Sequence, residues 1–108
     1  MNKLVLSRAA REDLERIDDY TLNTFGLTQA RKVLSIFEDT FEMLAAFPES
    51  APERPEFDPP GRRFRYRTVL GSLLVVFESV DGVIRVARIL DARRGDLRGL
   101  LDEEAQQP

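Results

Sequence analysis

The chain lacks cysteine and histidine altogether. Without cysteine it has neither a disulfide framework nor a thiol nucleophile. Without histidine it lacks the side chain that enzymes use most often as a general base and that proteins use most often to bind transition metals. The absence of both residue types excludes the usual structural zinc sites. We therefore expect no bound metal and no cofactor.

Long apolar runs and the common phosphate-binding loops are missing as well. No stretch approaches the roughly 18 consecutive apolar residues that a membrane span needs. The apolar opening, residues 1–6, turns polar at Ser7, which is too early for a signal peptide. Neither GxGxxG nor GxxxxGK followed by Ser or Thr occurs. We expect a cytoplasmic protein that makes no contact with a membrane.

Positive charge is concentrated in one part of an acidic chain. The net charge of the 108 residues is −3, yet residues 61–98 contain nine arginines and no lysine against four acidic residues. Arginine presents a rigid, permanently charged fork that suits phosphate, carboxylate or carbonyl groups. Two interpretations stay open for this region: a solvated sheet face that pairs with the acidic helices, or a binding surface.

Apolar spacing in the first half predicts one strand and two helices. Lys3–Leu6 is the strand, and Ser7 can cap a helix over about residues 8–24, whose apolar residues recur at spacings of three and four. Gly26 ends that helix, and a second apolar stripe then runs as far as Pro48. Because so few residues separate the two helices, they must fold back as a hairpin, which needs a sheet to cover its apolar stripes.

A connector at residues 48–61 holds five of the six prolines and leads to a strand over Arg62–Leu70. Arginines alternate with bulkier residues along this strand, so they share one face. These arginines are Arg63, Arg65 and Arg67.

The remaining strands follow closely. Leu73–Val80 is apolar on both faces, which predicts a central strand. Asp81-Gly82 indicates a tight hairpin turn into a last strand, Val83–Leu90. A polar turn and leucines spaced for a short helix come next. The order βααβββ predicts a two-layer α+β fold with the helical hairpin on one face of a mainly antiparallel sheet. We place a single domain at residues 1–98 and an acidic tail at 99–108.

Several local patterns, taken in order, resemble the ParE family of the RelE/ParE toxin–antitoxin superfamily. The segment Ser7–Tyr20 resembles S-x-x-A-x-x-D-L-x-x-I-x-x-Y, and Phe25–Ala30 matches the inter-helix pattern FG…QA. Leu44–Pro48 resembles L-A-x-x-P, and Arg62–Phe77 resembles R-x-F…Y-x-I-x-Y. The segment Val86–Asp96 resembles V-x-R-V-L-H-x-R-R-D. The resemblance extends over about residues 3–98.

This resemblance implies the fold of that superfamily and a toxin of a type II toxin–antitoxin system that arrests growth. ParE toxins are known to inhibit DNA gyrase by binding, and a ParD antitoxin holds them inactive. The resemblance thus implies two partners, a ParD-like ribbon-helix-helix antitoxin and gyrase. Operator DNA would be contacted only through the antitoxin. No enzymatic activity and no catalytic residue are expected.

The arginines of the sheet and of the last turn are the expected contacts with the target, because turns on a rigid scaffold commonly bind. These target-binding residues are Arg63, Arg65, Arg67, Arg93 and Arg94. Two further residues, Arg88 and Asp96, are expected to be structural or target-binding. For Arg88 we favour a structural ion pair with Asp96 or Asp91.

Two alternative functions stay open. A ribosome-dependent mRNA endonuclease of RelE type would need an acid and a base, and Glu78 and Asp91 are the candidate bases. The sequence has no histidine and no tyrosine after Arg94 to serve as the acid. A non-toxic, degenerate interaction module is favoured by two departures from the family pattern. Asp91 stands where the family usually has histidine, and Gly95 lengthens the final turn.

Overall fold

The structure is a computed structural model that describes residues 2–93 and 97–105. Its elements are β1 (Lys3–Leu6), α1 (Arg8–Phe25), α2 (Leu27–Ala46), β2 (Arg65–Val69), β3 (Leu73–Val80), β4 (Val83–Asp91) and α3 (Leu97–Ala105). The connector between α2 and β2 contains two short 3-10 turns. The α+β class and the βααβββ order with a short C-terminal helix are confirmed. None of the helices within the described residues could span a membrane.

The four strands form one sheet in the order β1-β4-β3-β2. Strand β1 runs parallel to β4, and the other neighbours are antiparallel. A parallel pair needs a crossover connection, and the long path through both helices supplies it. Strand β2 begins at Arg65 and not at Arg62, because the backbone N–H of Phe64 donates to Asp58 of the connector, at 3.3 Å, and not to a neighbouring strand.

The helical hairpin covers one face of the sheet. Ser7 caps α1 as predicted, since its Oγ accepts a hydrogen bond from the N–H of Ala10 at 2.9 Å. The same hydroxyl donates to the carbonyl of Ala87 at 2.7 Å and so ties the start of α1 to β4. Gly26 adopts a φ of +91° between the helices. The core on this face includes Ala10, Val33, Phe37, Leu44, Val75, Phe77, Ile84 and Val86.

Helix α3 and the connector cover the other face. We expected helices on one face only, but Leu97 and Leu101 pack against a second apolar cluster there. The cluster also contains Phe64, Tyr66, Leu74, Val76, Ala87 and Leu90. The physical reason is that β3 and β4 are apolar on both faces, so that the second face also needs a cover. The boundary that we drew after residue 98 falls inside α3, whose Leu101 and Glu104 are buried.

Candidate functional site

An open groove of about 680 Å³ lies between the C-terminal half of α1 and the ends of β3 and β4. We call it the α1–β4 groove. Its apolar wall includes Tyr20, Phe25, Val33, Leu70 and Leu73. Its charged wall is formed by Asp13, Arg16, Arg88, Asp91 and Arg93. The groove therefore combines an apolar surface with a cluster of arginines and carboxylates.

Asp13 is the buried anion of the charged wall and is only 4% exposed. Its carboxylate accepts hydrogen bonds from Nε and Nη2 of Arg88, at 2.8 and 2.9 Å, and from the N–H of Ile89, at 2.9 Å. Arg16, one turn further along α1, donates to it as well. A buried carboxylate without such donors would cost several kcal/mol, so these donors account for the presence of an acid inside the fold.

Arg88 forms a structural ion pair, and the partner found among the described residues is Asp13 of α1. We favoured Asp96 or Asp91 as the partner; the guanidinium binds Asp13, and Asp96 lies outside the described residues. The hydrogen bond to Asp13 is the main reason why the pKa of Arg88 lies above its ordinary value.

A β-bulge lies next to Arg88 in β4. Val76 pairs with Arg88, while the next residue, Phe77, pairs with Val86, so Ala87 is an extra residue in β4. A bulge bends the strand and redirects its side chains. Ile84, Val86 and Ile89 accordingly lie in the core under the helical hairpin, whereas Ala87 and Leu90 lie in the cluster under α3.

The acids of the groove are covered by their arginine partners. The Arg16 side chain is 66% exposed above an Asp13 side chain that is 4% exposed. Arg93 lies over Asp91 in the same way: the Arg93 side chain is 78% exposed, and the Asp91 side chain is 27% exposed. Hydrogen bonds from Arg93 to Asp91 raise the pKa of this guanidinium. Because the cations are outermost, the groove presents positive charge to a ligand although its formal charges nearly balance.

Apolar side chains form the rim of the groove. Tyr20 and Phe25 are each 65% exposed, and their rings meet edge to face with centroids 6.4 Å apart. Leu70, from the β2–β3 turn, is 46% exposed at the same groove. Residues 20–30 contain no charged side chain. Exposed apolar surface bordered by charge is typical of sites that bind a partner.

The predicted sheet arginines lie away from this groove. Arg63, Arg65 and Arg67 alternate with buried residues as expected, but they are on β2 or just before it, at the edge of the sheet. Arg65 donates to the carbonyl of Ala51 at 2.7 Å and pairs with Glu53 at 3.2 Å. These contacts tie β2 to the connector.

The other two sheet arginines differ in their surroundings. The Nη2 of Arg67 lies 2.9 Å from the sulfur of Met43 on α2, which ties the edge strand to the hairpin. Arg63 is exposed. None of the three lines the groove with Arg93. Arg94 and Asp96 lie outside the described residues.

Glu78 belongs to an ionic network on the α3 face of the sheet. It accepts hydrogen bonds from Arg62 and Arg85, and Arg85 also donates to Glu104 of α3 at 2.6 Å. The two carboxylates considered as catalytic bases, Glu78 and Asp91, are therefore not together, since only Asp91 lines the groove.

Tyr66 also lies on the α3 face of the sheet. Its hydroxyl donates to Oδ1 of Asp58 at 2.7 Å, and the residue is 1% exposed. Burial, reinforced by the hydrogen bond to Asp58, raises the pKa of Tyr66 far above its ordinary value. Among the described residues no cluster of three or more acidic side chains could hold a metal ion.

Sequence reasoning missed Asp13 and the aromatic rim, although a signal existed for each. Asp13 lies on the apolar stripe of α1, between Ala10 and Ile17, where a charged residue has to find a buried partner. The uncharged segment at residues 20–30 is conspicuous in a chain with 32% charged residues. No comparable signal marks the bulge at Ala87.

Comparison with known proteins agrees with this architecture. The family described as ParE toxin of type II toxin-antitoxin system, parDE, matches residues 4–95. A solved chain described as part of the chromosomal ParDE TA system from P. aeruginosa aligns with a TM-score of 0.71 at 23% identity. That alignment covers 86% of this chain and 98% of the other. A search among curated proteins finds no relative. The chain belongs to the family of ParE toxins of type II toxin–antitoxin systems.

Proposed function

We propose that this toxin inhibits DNA gyrase by binding, cleaves no bond itself, and is neutralised by a ParD-like ribbon-helix-helix antitoxin. Membership of the ParE family is the observation that carries the proposal. The chemistry of the groove supports it, because fixed guanidinium groups can hold carboxylate, phosphate or carbonyl groups without any proton transfer. The family membership is also our reason for proposing that the protein acts in the cytoplasm.

The proposed contact with gyrase starts from arginines of residues 61–98, the part of the sequence in which they are concentrated. Arg93 lies on the turn after β4 with its side chain 78% exposed, and Arg94 follows it in sequence. Arg63 is exposed before β2. Arg65 and Arg67 contribute less in this proposal, because each is partly buried and already makes a contact within the fold.

One observation favours mRNA cleavage as a second candidate function. The Tyr20 side chain shares the groove with Arg16 and Arg93, so an exposed hydroxyl lies among cations that could bind a phosphate. Such a hydroxyl is a conceivable general acid. Asp91, the carboxylate that could act as the base, is engaged by Arg93. We rank this function second because a base bound by an arginine accepts a proton less readily.

Controlled expression tests the proposal. We expect growth arrest on induction and its relief by co-expression of a cognate ParD-like antitoxin. Arrested cells should show gyrase-dependent DNA breaks and intact mRNA. The Tyr20→Phe variant separates the two candidates: it should arrest growth as the wild type does if gyrase is the target, and should be harmless if Tyr20 donates a proton during mRNA cleavage. A wild-type protein that arrests no growth would instead indicate a non-toxic interaction module.

A further inference from the structure

The turn after β4 is anchored to the sheet at its first two residues. Asp91 is the last residue of β4 and pairs with Leu73 of β3. The backbone N–H of Ala92 donates to the carbonyl of Ser72, at 2.6 Å. The base from which Arg93 extends is therefore fixed by the sheet, and only the Arg93 side chain remains to be oriented.

The carboxylate of Asp91 binds both the backbone and the side chain of Arg93. Its Oδ1 accepts a hydrogen bond from the backbone N–H of Arg93, at 2.9 Å, which closes the short ring of an Asx turn. The same carboxylate accepts hydrogen bonds from the guanidinium, at 3.0 Å from Nε to Oδ1 and 2.7 Å from Nη2 to Oδ2. Three nitrogen atoms of Arg93 are thus joined to one carboxylate.

Two other exposed arginines, both on α1, are held less firmly. In the Arg8–Glu12 pair Nε and Oε1 are 3.4 Å apart, and Arg16 donates to Asp13 through Nη2. Neither makes a two-nitrogen contact like that of Arg93 within the described part of the chain. A guanidinium held by two nitrogens has a fixed plane, whereas one held by a single nitrogen can rotate about that contact. Arg93 therefore combines high exposure, 78% for its side chain, with a fixed direction.

An exposed pair of this kind contributes little to stability but can contribute to binding. Water screens an ion pair whose arginine is so exposed, so its effect on folding is small. A mobile arginine loses conformational entropy when a partner immobilises it, and a guanidinium that is already fixed avoids that cost. The effect of the Asp91–Arg93 pair should therefore be seen in the affinity for a partner and not in the melting temperature.

The guanidinium of Arg93 keeps one of its two forked edges for a partner. Asp91 occupies the edge formed by Nε and Nη2. The other edge, formed by Nη1 and the second hydrogen of Nη2, makes no hydrogen bond with any residue that the structure describes. Such an edge binds a carboxylate through two parallel hydrogen bonds. Because Asp91 already neutralises much of the positive charge, the pair favours one well-placed carboxylate over the many phosphates of DNA.

We propose that Asp91 is a positioning residue, which holds the Arg93 guanidinium so that its remaining edge receives a carboxylate of the target protein. Asp91 acts through Arg93 and does not itself bind the target. This inference deepens the proposed function and rests on it for the identity of the target, gyrase. It gives Asp91 a role different from that of the catalytic base for which the sequence made it a candidate.

The test measures the Kd of the purified full chain for purified gyrase without DNA, by surface plasmon resonance. Electrostatics alone predicts that removing an acid beside Arg93 strengthens binding to a carboxylate. Positioning predicts the opposite, so Asp91→Ala should raise the Kd about three- to tenfold. The matched control, Asp19→Ala, removes an equal charge at an exposed site on α1 and should not raise the Kd. An unchanged or lower Kd for Asp91→Ala, or an equal rise in the control, would overturn the proposal.

A double-mutant cycle separates positioning from any other role of Asp91. In the Arg93→Ala background, Asp91→Ala should change the Kd no further, because there is no guanidinium left to position. Asp91→Asn keeps an oxygen that can accept from the N–H of Arg93 and should recover part of the affinity. A loss that persists in the Arg93→Ala background would show that Asp91 acts on the turn as a whole, and would contradict positioning.

The mobility of the Arg93 side chain can be measured without any target. NMR relaxation of its Nε–H should show a group as ordered as the backbone in the wild type and a mobile one in Asp91→Ala. A mobile Nε–H in the wild type refutes this inference alone. An ordered Nε–H in a protein that neither binds gyrase nor arrests growth refutes the proposed function alone.

Discussion

Asp13 and Arg88 join helix α1 to strand β4 through two hydrogen bonds of 2.8 and 2.9 Å, in an ion pair whose side chains are 4% and 13% exposed. The pair lies at the base of the α1–β4 groove and fixes the wall from which Arg16 extends. The two residues are far apart in sequence, so the fold positions the groove only when α1 and β4 are both in place.

Breaking this buried pair should be far more costly than breaking an exposed one. Arg88→Met leaves the Asp13 carboxylate buried with fewer donors and should lower the free energy of unfolding by about 3–5 kcal/mol. Arg93→Met removes an ion pair with an exposed arginine and should leave the melting temperature almost unchanged. Chemical denaturation of both variants measures the difference, and similar losses would contradict a structural role specific to Arg88.

The two phenylalanines of α2 should differ in their contribution to stability. Phe37 and Phe41 are neighbours on α2, with ring centroids 6.1 Å apart, but Phe37 is 1% exposed whereas Phe41 is only partly buried against the core. Phe37→Ala should cost about 3–5 kcal/mol through lost burial and a cavity. Phe41→Ala should cost less. Equal losses in urea unfolding would show that the observed burial does not set the cost.

Helix α3 should stabilise the domain. Leu101 is fully buried against the sheet, while its neighbour Leu100 is partly exposed. Leu101→Ala should lower the free energy of unfolding by about 2–5 kcal/mol, and Leu100→Ala should lower it less. A Leu101→Ala protein as stable as the wild type would mean that residues 97–105 act as a detachable tail.

Tyr66 should make the protein sensitive to alkali. Its pKa is raised in the folded protein, so its contribution to stability is present below the unfolded pKa of about 10 and is lost as pH rises above that value. The loss should approach about 1.4 kcal/mol per pH unit while Tyr66 ionises only in the unfolded chain. In Tyr66→Phe this component should vanish. Parallel slopes for the two proteins between pH 10 and 12, as measured by urea unfolding, would refute the assignment.

Local patterns in the sequence were enough for the order of elements. The cap at Ser7, the break at Gly26 and the turn at Asp81-Gly82 depend on residues close in the chain, and each is found as predicted. The predicted alternation also holds along β2, where buried Tyr66 lies between Arg65 and Arg67, because a paired strand keeps its period of two.

The groove could not be predicted because it depends on contacts between distant elements. Ala87 interrupts the alternation of β4, and Arg88 reaches Asp13 only because α1 packs against this strand. The cover of the second sheet face by α3 likewise depends on tertiary packing. The positive φ of Leu70 could not be predicted, because leucine is not one of the residues that favour this backbone conformation in a turn.

The most direct measurement of the central claim mixes the purified protein with gyrase, plasmid and ATP, and in parallel with ribosomes programmed with mRNA. We predict that broken plasmid accumulates after the proteins are removed and that the mRNA stays intact. We also expect the combined Arg93→Ala and Arg94→Ala variant to weaken plasmid breakage at an unchanged melting temperature. Codon-positioned cuts in the mRNA with an intact plasmid would contradict the account and would make Tyr20 the first residue to examine.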